Sequence, residues 1–210
     1  MSLIEPAPPS DCTAAFSATL PQFLTGAAGL IKESYLGVKP PVPDQSQIGI
    51  APPRPQQVFV LDLNEAAHNP GRIDPPAAGW RIFAGSGQNS TVMGRMMQIP
   101  PSLTWKLTGV FYGVRVAQAL DASQNLGVLP AVTKSDYVLR VLAVPGLNLE
   151  AFWLVAQSPA TADLVIPFPA ATAQPIPTLM GVNPYKMVTF LAIIRPLAAS
   201  MLSMASGYGG

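Results

Sequence analysis

Apolar residues recur at Phe16, Leu20, Phe23, Leu24, Ala27 and Ile31, a spacing that places them along one stripe of an α-helix. Pro21 lacks an amide hydrogen and is tolerated only in a first turn. The pattern therefore predicts a helix that starts near Thr19 and ends at Gly37, a suitable residue for a left-handed cap. Gln57 to Leu63 and Gly79 to Ala84 are short runs rich in β-formers and predict two strands. Asn69-Pro70-Gly71 and Asp74-Pro75-Pro76 mark the intervening segment, 64–78, as a loop. The strongest β signal is Tyr137 to Val144 and Leu149 to Val155, joined by Pro145-Gly146-Leu147-Asn148, which predicts a hairpin with a four-residue loop. Leu164 to Phe168 predicts a fifth strand, and Pro167 and Pro169 suit it to a sheet edge.

Residues 102–120 fit two patterns. Leu103, Leu107, Val110, Phe111, Val114 and Ala117 have helical spacing, whereas Val110, Tyr112, Val114 and Val116 alternate as a strand does. Ser102 after two prolines is a plausible N-cap, so the reading adopted is a helix on which Gly109, Gly113 and Ala117 form a strip of small residues. The last helix is predicted to begin at Asn183 and Pro184 as N-cap and first residue. Met187, Val188, Leu191 and Ile194 share one side, but Phe190 and Ile193 leave no polar face, so this helix should be covered all round.

Proline separates these elements. Three prolines lie between Met1 and Pro9, an expected extended arm, and six lie between Val38 and Pro55, where polyproline or extended geometry can wrap a neighbouring surface. The expectation is an α+β fold in which a small antiparallel sheet of about five strands packs against three helices behind an extended proline-rich N-terminal segment. Residues 1–55 form the arm, first helix and linker, and 56–210 form the α+β domain, the whole making one structural unit.

Charge changes the picture. Only 11% of residues are charged, against about a quarter in an ordinary soluble domain. Spread over the surface expected for 22.1 kDa, this is about one charge per 400 Å², where average composition gives about one per 180 Å². Something other than ions must cover the exterior, and contact with further subunits is one such cover. The 12 basic and 11 acidic residues are scattered singly, without the stripe that nucleic-acid binding needs. Cys12 stands alone, which excludes an internal disulfide and a cysteine-ligated zinc, and a reduced compartment is expected. The first thirty residues lack a basic segment before an apolar run, so the expected location is the cytoplasm. Met187 to Ala205 is apolar and long enough to be weighed as a membrane span, but Arg195 near its middle costs about 3 kcal/mol on insertion, and a buried or interface helix is preferred.

Few constellations carry chemistry. Asp62, Glu65 and His68 lie three apart, and Glu65-Ala66-Ala67-His68 has the spacing used by di-iron carboxylate helices. A di-iron bundle needs a second such motif, and the chain has one histidine; the plain reading is a polar strand-to-loop connection. Cys12 with His68 is the one possible Cys–His nucleophilic pair, but Cys12 adjoins the expected arm, where catalytic geometry is hard to hold. Gly85-Ser86-Gly87 lacks the third glycine of a dinucleotide loop, Ser90 standing in its place. Trp80, Trp105 and Trp153 have few basic companions beyond Arg81 and Lys106, so they read as core. Met93, Met96 and Met97 form an adaptable apolar cluster.

The function expected from these residues is that of a non-catalytic structural or interaction protein, without cofactor or metal. It associates with itself or with other assembly subunits through apolar faces and proline-rich arms, and the candidate interface residues are Met93, Met96, Met97, Gly109, Gly113, Phe190 and Ile193. The alternative is a small-molecule binder or hydrolytic enzyme with its site around Asp62, Glu65 and His68.

Overall fold

The computed structural model describes residues 2–25, 30–32, 48, 52–68, 73–85, 87, 90–167, 179 and 183–207. Two compact units interleave along the chain: Met1–Glu5, Val58–Ala78 and Gly127–Gly210 form the first, and Pro6–Gln57 with Gly79–Leu126 the second. The boundary expected at residue 55 falls inside a strand, Arg54–Val60.

The first unit is built on a hairpin, β7 (Tyr137–Val144) and β8 (Leu149–Ala156), paired antiparallel without interruption from Tyr137 opposite Ala156 to Val144 opposite Leu149. Asn148 takes the left-handed conformation, φ 49°, that closes the turn, a geometry its short polar side chain tolerates. Outward from β8 follow β9 (Leu164–Pro167) and β10 (Tyr185–Lys186), both antiparallel. The other edge of β7 is shared by two parallel strands. β1 (Leu3–Ile4) meets it at Tyr137 and Val138, and β3 (Arg54–Val60) meets it at Val141, Leu142 and Ala143. Ser2 ties the arm down by donating its backbone N–H to the Asp136 carboxylate, and this bond is the first cause that holds the Asp136 carboxyl below its ordinary range.

Alternation along these strands defines an apolar face of Phe59, Leu61, Leu142, Leu149, Ala151, Trp153 and Val165. Two helices cover it: α2 (Leu63–His68), and α4 (Met187–Gly207), which inserts Met187, Phe190, Leu191, Ile194 and Ala198. Arg140 lies on this face because it is two residues from Leu142, and its guanidinium stands 4.5 Å from the Phe59 ring centroid and 5.2 Å from that of Trp153. The two rings themselves meet edge to face at 5.5 Å. Each cation–ring contact is worth about 1 kcal/mol where water is partly excluded.

In the second unit β4 (Ala77–Ala84), β5 (Val92–Ile99) and β6 (Thr104–Tyr112) form an antiparallel meander, and β2 (Leu30–Lys32) adds a parallel edge to β6. One face packs on α1 (Ser10–Thr25) through Cys12, Phe16, Leu20 and Leu24. The other packs on α3 (Val114–Asn125), where Val116 and Leu120 meet Phe83 and Met93. Gly94 makes the α1 packing possible, because a Cβ there would lie 2.5 Å from the Phe16 ring and 2.7 Å from Leu107.

The small antiparallel five-stranded sheet with three helices is thereby overturned. The described residues hold ten strands and four α-helices, and the pairing is mixed, with β1 and β3 parallel to β7 and β2 parallel to β6. Two of the extra strands, β1 and β2, are only two or three residues long. A third, β5, contains Gly94, Arg95 and Gln98, which mask its alternation.

Local expectations also shift. The segment expected as a helix over 102–120 is strand to Tyr112 and helix from Val114, with the break at Gly113, whose φ of 115° suits glycine alone. Gly109 and Gly113 thus lie on different elements, and the small-residue strip does not form. The first helix begins at Ser10, not Thr19, so Pro21 sits inside it, and residues 26–29 and 33–37 of the expected helix lie outside the described residues. The loop expected over 64–78 holds most of α2, and the last helix begins at Met187 and not at Asn183 and Pro184, Tyr185 and Lys186 being β10. Most of the linker 38–55 lies outside the described residues; Arg54 and Pro55 belong to β3.

Replacing Gly94 with Val should destabilise the protein by about 2–3 kcal/mol, since two buried side chains must move to admit the new methyl groups. Urea unfolding followed by far-UV circular dichroism measures it; an unchanged midpoint would show that α1 does not depend on that gap.

Candidate functional site

Asp62, Glu65 and His68 are drawn into helix capping. Asp62 precedes α2 and its Oδ1 accepts the Glu65 backbone N–H at 2.7 Å, while its carbonyl accepts the Ala66 N–H at 2.9 Å. His68 donates Nδ1–H to the Asn64 carbonyl at 2.9 Å, one turn back. These bonds close the ends of a six-residue helix. Among the described residues no group of three or more His, Cys, Asp or Glu is arranged to hold a metal ion.

Cys12 is buried on the sheet-facing side of α1. Burial first, and the neighbouring Asp11 carboxylate second, push its thiol up to about 11. A reactive cysteine needs the opposite shift, toward thiolate at neutral pH. The packing of Cys12 beside Phe16 is that of a small apolar side chain.

The residues expected at an interface separate into two groups. Met93 and Met96 are buried in the second unit, on opposite faces of its sheet, and Met97 is exposed on β5. Gly109 is buried in β6. Phe190 is fully buried under α4 and Ile193 packs half-exposed against the same core. The uncovered apolar surface lies further along that helix.

Phe190, Ile194, Leu197, Met201 and Met204 are spaced four, three, four and three residues apart, the repeat that keeps one seam of a helix facing a partner helix. The first two are completely buried, but Leu197, Met201 and Met204 are 37%, 40% and 52% exposed. Core contact over this half is made from an adjacent stripe, Ala198 and Leu202. Arg195 is the one charged side chain from Met187 to Gly207, so few ions interrupt the surface of α4. The helix expected to be covered all round is bare along this seam; only 28% of Met187–Ala205 is buried. The same stretch is long and apolar enough to cross a membrane by length and composition. The four–three spacing was present in the sequence as a signal. What it does not encode is how far the core extends along the helix.

At about pH 8 the Cys12 thiol should resist a thiol reagent in the folded protein and react fully once denatured. Its raised value favours the protonated thiol in the fold. That contribution is complete below about pH 8.5 and disappears as pH rises toward 11. Native labelling as fast as that of a free peptide would show that Cys12 is not held in the core.

The chain matches no protein-family model, no curated protein and no solved structure.

Proposed function

We propose that this chain is a non-catalytic assembly subunit that pairs with a second copy of itself along the seam of α4, with the proline-rich segments as secondary arms. One observation carries the reading: Leu197, Met201 and Met204 continue the same four–three stripe that Phe190 and Ile194 bury, yet face outward. Two copies of such a helix are complementary without further design, since each offers an uncharged seam. Ala199, Ser200 and Ser203 around it are small and allow a close approach of backbones. The low charge of the chain as a whole supports the same reading, because an apolar exterior with few ions is soluble when part of it is covered. Arg195, within the apolar stretch, favours a protein partner over a bilayer.

Three side chains bury less surface than the roughly 1,000 Å² of a stable interface, so the seam alone gives a weak association. Light scattering coupled to size exclusion should find a dimer or larger species at about 50 µM. Combining Leu197→Glu, Met201→Glu and Met204→Glu should give a monomer with an unchanged circular dichroism spectrum, since all three side chains are exposed. A wild-type chain that stays monomeric over this range, or that floats with liposomes while remaining monomeric in solution, would overturn the reading.

A further inference from the structure

The face of the first unit's sheet that α2 and α4 cover opens, beside the first turn of α4, into a cavity of about 510 Å³. Arg140, Trp153, Asp163, Lys186, Asp74 and Met187 are among its lining residues. Arg140 rises from the middle of β7, opposite Trp153 on β8. An arginine placed among apolar side chains gives up much of its hydration, and ordinarily a carboxylate compensates. Here the compensation comes from the Phe59 and Trp153 rings. Aromatic faces interact with the positive charge but accept few of the five N–H donors. Arg140 Nε is enclosed and has no hydrogen-bond partner.

Asp163, the carboxylate that lines the same cavity beside Trp153, is already committed. Its Oδ2 accepts the Trp153 indole N–H at 3.0 Å and its Oδ1 accepts the Ala156 backbone N–H at 2.9 Å. Those bonds hold the indole in place, and the indole in turn holds the guanidinium. A planar fork of donors kept rigid by rings is suited to a carboxylate, which it can meet through two parallel bonds. Lys186 on β10 brings a second cation to the rim, and Trp153 and Met187 supply apolar wall. The volume lies in the range of cavities that hold small organic ligands, about 300–1,000 Å³. Asp74 and Asp163 on the lining oppose a multiply charged anion.

We propose that this cavity binds a small organic monocarboxylate, its carboxylate against Arg140 and Lys186 and its apolar body along Trp153 and Met187. The site is independent of the α4 seam and does not require self-association.

Benzoate added to the full-length chain, followed through the Trp153 indole N–H in two-dimensional NMR, tests this directly. Saturable shifts with a dissociation constant of about millimolar order are expected for so small a probe. Benzamide, of the same shape without the charge, should bind at least about tenfold more weakly, and so should benzoate to Arg140→Gln. Lys186→Gln, at an exposed position, should weaken benzoate about threefold and serves as the deciding variant if Arg140→Gln fails to fold. Equal binding of benzamide and benzoate, tighter binding of inorganic phosphate than of benzoate, undiminished affinity in the Lys186 variant, or no shift of the indole signal at about 20 mM would each overturn the proposal.

Discussion

The first unit depends on the register between β7 and β8. Because Tyr137 to Val144 pairs residue for residue with Leu149 to Ala156, alternation places Arg140, Leu142 and Val144 on one face together with Leu149, Ala151 and Trp153. A slip of one residue would turn every one of these side chains to the other face. The opposite face, with Leu139, Val141, Phe152 and Leu154, is buried as well, so neither set is free to exchange with solvent. From that register follow the apolar floor for α4, the aromatic surround of Arg140 and the position of Asp163, whose carboxylate reaches both the Trp153 indole and the backbone of Ala156.

Helix α4 then shows what happens when an element carries more apolar surface than its floor can take. A helix needs one stripe covered to be held on a sheet, and α4 has two adjacent stripes. Leu191, Ala198 and Leu202 supply the one that stays on the core, while the other leaves it after Ile194. The free energy of hiding the second stripe is still available to a partner, at roughly 25 cal/mol for each square ångström removed from water. The proposed assembly would use this surface, which the fold leaves over. Arg140, at the near end of the same helix, is the converse case of a polar group that rests on aromatic rings while its Nε is left without a hydrogen-bond partner.

Much of the local structure was legible. The hairpin 137–155 and its four-residue turn were read from alternation and from Pro145-Gly146-Leu147-Asn148, and so was the strand at Leu164, although β10 pairs on its outer side and it is not the sheet edge that its prolines suggested. Met187 to Ala205 was recognisable as a long apolar helix. The helical stripe of Phe16, Leu20 and Leu24 was also real, although it starts earlier than Pro21 implied, because burial of that face outweighs the lost hydrogen bond of one proline. Residues 102–120 were ambiguous for a physical reason: one stretch holds a strand and a helix end to end, and each contributes its own period.

The amino-acid sequence alone determined which segments have a face to bury, where turns interrupt them, and how few ions remain for the outside. These are properties of neighbours in the chain, and side-chain periodicity records them. Only tertiary structure decided that β3 and β1 lie parallel to β7, that Asp62 and His68 close a short helix, that Leu197, Met201 and Met204 stay uncovered, and that Arg140 rests against two rings. Each of these joins residues that local periodicity does not relate. A pattern shows that a side chain needs covering, whereas the identity of the cover depends on which distant segment arrives there.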